Sequence, residues 1–322
     1  MSPRELDEDD VRVRPGRSSR PRTRIRPGHE DASAAVVVTV DRGRYRLRTD
    51  DGSLVTAVRA RELGRRAVVV GDRVGVVGDV SGGADALARV VRIEPRSSLL
   101  RRTPDDNDPV ERAVVANAEI LVVVTALADP PPRPRLIDRC LVAAYDGGLE
   151  PLLCLTKSDL ASPEKLLALY RPLGVEAVVT GAGSGVVVLA ERLNGRTSVL
   201  FGQSGVGKST LVNQLVPAAY RTVGVVSGVG KGRHISSSAI ALELPAGGTV
   251  IDTPGVRSFG LGAVTPARVL AAFPDLAVAA EECPPGCAHL PGTRDCALDQ
   301  APVPAARLDS LRRLLGAVSG ED

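Results

Sequence analysis

The segment Gly202-Gln203-Ser204-Gly205-Val206-Gly207-Lys208-Ser209 constrains this chain more than any other. It follows the apolar run Ser198 to Phe201 and precedes a helix pattern from Lys208 to Val216. A G-x-x-x-x-G-K-[ST] turn between strand and helix curls successive backbone N–H groups around a phosphate at the helix N-terminus. It commits this part of the chain to strands alternating with helices, with Lys208 placed for outer phosphates, Ser209 for Mg²⁺ and Thr210 beside them for the nucleotide.

The surroundings agree. Ile120 to Val124, Pro151 to Leu155, Val175 to Val179 and Thr249 to Ile251 read as buried strands, with helix patterns at Leu136 to Tyr145 and after Ser162-Pro163. Such alternation predicts a parallel sheet with crossover helices. Asp252-Thr253-Pro254-Gly255 ends the last of these strands, where Asp252 can hold Mg²⁺ through water and the Gly255 N–H can face a terminal phosphate. Together these elements predict a bound nucleoside triphosphate.

The base is read from Thr156-Lys157-Ser158-Asp159. A carboxylate placed like Asp159 accepts from both N1–H and the 2-amino group of guanine, a donor pair adenine lacks, while the Lys157 stem can cover the ring. Thr180-Gly181-Ala182-Gly183, after the next strand, is placed to close over the base. The motif resembles the N-K-x-D signature of GTPases with Thr156 in the place of Asn, so the bracing an amide would provide between base and phosphate loop is weakened or replaced.

Composition narrows the class. With 322 residues there is room for two or three domains. The longest apolar stretch, Ile120 to Ala128, falls far short of the roughly 20 residues a bilayer needs, and the charged N-terminus fits no secretory or organelle signal, so a cytoplasmic protein with no membrane partner is expected. Of 41 basic residues only Lys157, Lys165, Lys208 and Lys231 are lysine, and two of these already sit in motifs. There are three Phe, four Tyr and no Trp, which leaves few stacking platforms, so RNA would be bound through phosphates and shape. Val11 to Gly28 carries seven Arg and no acid. It predicts a disordered arm, either a solvated tail or a polybasic scanner of polyanions.

Between Ala34 and Arg92, short apolar runs separated by Gly, Asp and Ser turns predict five or six strands of a small barrel, OB-type first and SH3-like as the alternative. Pro95 to Pro109 reads as a linker. Near the other end stand Cys283, Cys287, His289 and Cys296, spaced by three, one and six residues. Three thiolates and an imidazole suit one closed tetrahedral structural Zn²⁺ site, with two disulfides as the alternative reading. Cys140 and Cys154 fall in helix and strand patterns and are expected in the core.

The order is unusual, because the base motif precedes the phosphate loop as though the chain had been circularly permuted. With Lys231-Gly232-Arg233-His234, the run from Asp252 to Gly260, the N-terminal barrel and the terminal Cys/His cluster, the chain after about residue 33 resembles the RsgA family of small-ribosomal-subunit GTPases. The family's switch reads H-T-T-T where this chain has His234-Ile235-Ser236-Ser237, and its metal spacing is four, one, five.

The resemblance implies a multidomain α/β protein: an N-terminal OB-type β-barrel, a circularly permuted P-loop GTPase domain and a C-terminal helical zinc-binding domain. The expected division is a basic tail at 1–33, barrel at 34–95, GTPase domain at 96–260 and zinc domain at 261–322. The expected activity is hydrolysis of GTP to GDP and phosphate by a monomer that binds the small ribosomal subunit and its rRNA late in assembly, hydrolysis driving release. A P-loop switch serving signalling or transport through a protein partner is the alternative. Val256 stands where most GTPases place a water-orienting Gln, so His234 is the candidate for that role, or else a loop residue touching RNA. Ser236 or Ser237 is the candidate switch hydroxyl for Mg²⁺.

Overall fold

The computed structural model describes residues 29–64, 67–83, 85–102, 112–217, 239–253 and 264–319. The basic arm, Lys231, His234, Ser236, Ser237, Gly255 and Val256 lie outside the described residues.

Five strands form the N-terminal unit: β1 (Ser33–Asp41), β2 (Arg44–Thr49), β3 (Leu54–Arg59), β4 (Arg73–Gly78) and β5 (Ala88–Ile93). Period-two patterning turns Ala35, Val37, Tyr45, Leu47, Val55, Ala57, Val74, Val76, Ala88 and Val90 inward, with Arg46, Thr56 and Arg89 among the residues between them. The β1–β2 turn uses Arg42 and Gly43 at φ 44° and 82°, the positive pair a tight hairpin requires. The strands close in the order β1-β2-β3-β5-β4-β1, with β3 and β5 parallel. That closed Greek key is the OB type, so the SH3-like alternative falls away.

The expected linker is partly structured. Leu99–Arg102 (β6) pairs antiparallel with Arg112–Ala116 (β7), with Leu100 and Val115 buried. The Pro- and Asp-rich stretch between them lowers the average apolar character and hides the short strand.

The central sheet holds β8 (Ile120–Ala126), β9 (Glu150–Thr156), β10 (Glu176–Val179), β11 (Thr197–Gly202), β12 (Ile240–Glu243) and β13 (Thr249–Asp252). They lie in the order β10-β9-β8-β11-β13-β12, all parallel except β12. Helices cover both faces: α1 (Pro134–Gly147) with α2 (Glu164–Tyr170) on one, α3 (Val186–Leu193) with α4 (Lys208–Leu215) on the other. Along β8, Leu121 and Val123 join the α1 core, while Ile120, Val122 and Val124 join the α3–α4 core. A strand buried on both faces is what the unbroken apolar run predicts.

The barrel is joined to this sheet. Thr39 of β1 pairs with Ile240 of β12, and Ile240 pairs in turn with Asp252 of β13, so one rung runs from barrel to Asp252. On the other side α5 (Pro266–Ala271), α6 (Pro274–Ala280) and α7 (Ala305–Ser319) pack against α1. Leu311, Leu314 and Leu315 share one core with Ile137 and Leu141, Phe273 meets Tyr145 edge-on at 5.8 Å, and Arg313 holds the buried Asp138 carboxylate with two bonds of 2.8 and 3.2 Å.

Candidate functional site: a phosphate loop at the sheet switch point

β11 lies between β8 and β13, and the chain leaves β8 in one direction and β11 in the other. Open α/β sheets bind ligands at such a switch point, outside the carboxyl ends of the strands. Gly202 to Gly207 fill it. A Cβ on Gly202 would stand 2.7 Å from the Val124 carbonyl oxygen, so the loop can pass this close to β8 only with glycine there. Gly207, at φ 93°, makes the left-handed turn that starts α4, which opens with Lys208, Ser209 and Thr210.

Lys208 Nζ pairs with Asp252 Oδ1, both side chains largely buried. Residues 44 apart in sequence thus converge at the ends of adjacent parallel strands. The Thr253 hydroxyl donates to the Leu200 carbonyl at 2.7 Å and anchors the residue after Asp252 to β11. Ser209 is exposed beside this pair, Val206 is buried, and Gln203, Ser204 and Gly205 complete the loop.

Thr156, at the end of β9, is buried, and its hydroxyl donates to the Val206 carbonyl at 2.6 Å. The sequence leaves open whether the amide's bracing is weakened or replaced; here a hydroxyl–carbonyl bond provides it. Lys157, at φ 59°, donates to the Asp129 carbonyl in the loop between β8 and α1, a contact with no sequence signal. Asp159 is exposed and takes the Ala182 N–H on Oδ1 at 3.3 Å, while the Thr180 N–H bonds to the Leu155 carbonyl at 2.7 Å. Thr180 and Gly181 therefore stand beside the Thr156–Asp159 turn, and the base motif meets both the phosphate loop and the next strand end.

Cys283, Cys287, His289 and Cys296 form the second cluster, with ligand atoms all within 4.8 Å of one another. A tetrahedron with bonds of about 2.3 Å has edges of about 3.8 Å, so this donor set fits a metal ion such as zinc. The five cysteines are free thiols, which removes the disulfide alternative. His289 turns Nδ1 to the sulfurs, 3.5 Å from Cys283 Sγ and 3.9 Å from Cys296 Sγ. Burial, aided by the Arg312 guanidinium, holds its imidazole below the ordinary value and favours the neutral, ligating form. Cys140 and Cys154 are fully buried; burial pushes the Cys154 thiol up to about 12, as befits a core residue.

A phosphate loop at the switch point, a base motif braced to it from an earlier strand and an antiparallel strand preceding the one that ends in Asp252 define a circularly permuted P-loop GTPase. Residues 93–262 match the sequence profile of the family described as RsgA GTPase. A relative from Pseudomonas savastanoi pv. phaseolicola, named small ribosomal subunit biogenesis GTPase RsgA, is 38% identical over 270 residues, 78% of this chain and 75% of that protein. One of the same name from Azotobacter vinelandii is 38% identical over 292 residues, 84% of this chain and 82% of its own. The chain belongs to the RsgA GTPase family. The fold is similar to the crystal structure of YjeQ from Thermotoga maritima, with TM-score 0.66, 22% identity and 90% and 99% of the two chains covered. It is also similar to that of YloQ, described as a circularly permuted GTPase, with TM-score 0.65, 20% identity and 92% and 98% covered. Among the described residues no helix is long and apolar enough to cross a membrane.

Proposed function

We propose that this chain binds GTP and GDP, hydrolyses GTP, and acts in the late assembly of the small ribosomal subunit, hydrolysis loosening its grip on that subunit. The observation that carries the nucleotide reading is the convergence of Lys208 and Asp252 beside a phosphate loop that Thr156 braces. In this reading Gly202 to Thr210 cradle the phosphates, Lys208 neutralises developing charge, Asp159 with Lys157, Thr180 and Gly181 reads guanine, and Gly255 senses the terminal phosphate. Mg²⁺ would be held by Ser209, by Asp252 through water and by Ser236, and it would polarise the outer phosphate. His234 would orient the attacking water. One Zn²⁺ held by Cys283, Cys287, His289 and Cys296 would be structural, since four protein ligands leave no position for water.

The subunit reading rests on the names the relatives carry, on the Arg-rich outer face of the barrel and on the basic arm. The division into tail, barrel, GTPase and zinc domains at residues 33, 95 and 260, a monomeric state and a cytoplasmic location belong to the same proposal.

Titration of the full chain with GTP, GDP and ATP tests the base assignment. GTP and GDP should bind and ATP should not, and Asp159→Asn should weaken GTP by about 2 to 4 kcal/mol through loss of a charge-assisted donor pair. ATP binding as tightly as GTP, or an unchanged Asp159→Asn, contradicts it.

A further inference from the structure

Arg312, on α7, touches the metal cluster at more than one point. Its Nε donates to the His289 carbonyl at 3.2 Å, and its Nη2 lies 3.9 Å from Cys296 Sγ and 2.6 Å from Asp299 Oδ1. The side chain is only 10% exposed. Backbone donors also face the cluster: the Ala297 N–H lies 3.2 Å from Cys283 Sγ, and the His289 N–H bonds to the Cys287 sulfur.

Charge explains what such a guanidinium does. A divalent ion with three thiolates and one neutral imidazole carries a net charge of minus one, and Cys296 is buried. Removing that charge from water is costly unless an opposite charge or N–H donors stand against the sulfur. Geometry adds a second effect. His289 is held at φ 56°, a conformation few non-glycine residues adopt, and Arg312 bonds the carbonyl of that residue. The same fork thus faces a ligand sulfur and fixes the backbone that presents the ligand imidazole.

We infer that Arg312 is a positioning residue of the metal site, offsetting the charge on the coordinated thiolates and holding the His289 turn in ligating form. The inference rests on the zinc reading above. Partners of this kind typically alter metal affinity about ten- to hundredfold.

The test is zinc competition against a chromophoric chelator with the full-length chain, comparing the parent with Arg312→Gln and Arg312→Lys. The parent should hold one zinc. Arg312→Gln should hold it about ten- to hundredfold more weakly, and Arg312→Lys, which keeps the charge but not the fork, should fall between them. With cobalt(II) in place of zinc, the sulfur-to-metal charge-transfer band should move in Arg312→Gln, a change that loosening of α7 alone would not produce. If Arg312→Gln fails to fold, Arg312→Lys carries the test by the same two readouts. A parent that holds no zinc overturns the metal reading itself. A zinc-binding parent whose variants match it in affinity and band position overturns the role of Arg312.

Discussion

The Thr156 hydroxyl and the Val206 carbonyl oxygen are 2.6 Å apart across 50 residues of sequence, and this bond ties the strand that carries the base motif to the phosphate loop. The donor is buried, so the loop carbonyl has no water to turn to if the hydroxyl is removed. Thr156 therefore stands where a longer amide would, and its hydroxyl lies closer to the loop carbonyl than to the Thr125 carbonyl, which is 3.3 Å away.

Thr156→Val keeps the shape and deletes the donor. Affinity for GTP and GDP should fall together by about 1 to 3 kcal/mol, the cost of a buried acceptor left without its partner. Calorimetric titration reads this directly; an unchanged affinity for both nucleotides would show that the bond does not hold the loop.

Lys208→Ala should abolish turnover, because it removes the charge aimed at the outer phosphates. His234→Ala should leave nucleotide affinity nearly intact and lower kcat, since a group that orients water acts mainly in the transition state. Equal losses of affinity and rate in His234→Ala would assign that histidine a structural role.

Arg313 seats α7 on α1 through Asp138, whose side chain is 2% exposed. Arg313→Met should destabilise the chain by about 3 to 5 kcal/mol near neutral pH, as expected when one partner of a buried pair is lost. Burial holds the Asp138 carboxyl above its ordinary value, with Arg313 opposing, so without Arg313 the folded value rises further. A carboxyl raised in the folded state contributes its stability at low pH and loses it as pH rises through the folded value. The deficit in Tm should therefore be smallest at acid pH, where the carboxyl is protonated, and grow as pH rises above the ordinary carboxylate range. A deficit independent of pH would show that the carboxylate is not held as a buried charge.

Much of this architecture is legible in the sequence because the relevant signals are local. The phosphate loop is flanked by the strand and helix that give it meaning, the base motif ends an apolar run, and the Cys/His cluster lies within 14 residues. Barrel strands betray themselves by alternation. What was hidden depends on tertiary context. Val186-Val187-Val188 has strand propensity, yet it opens α3, with Val187 and Val188 exposed and Leu189 and Leu193 seating the helix on the sheet. Arg313 meets Asp138 across 175 residues, and nothing at either position marks the pair. The rung Thr39–Ile240–Asp252 is equally silent, since strand pairing between domains follows from docking rather than from either strand's composition.

In the proposed function, GTP hydrolysis by this chain is tied to the small ribosomal subunit. Single-turnover hydrolysis should be measured with purified small subunits, with large subunits and with protein-free ribosomal RNA at matched concentration and salt. Small subunits alone should give a large acceleration, lost in Lys208→Ala and diminished in His234→Ala. An equal rate with all three additions, or with none, would contradict it.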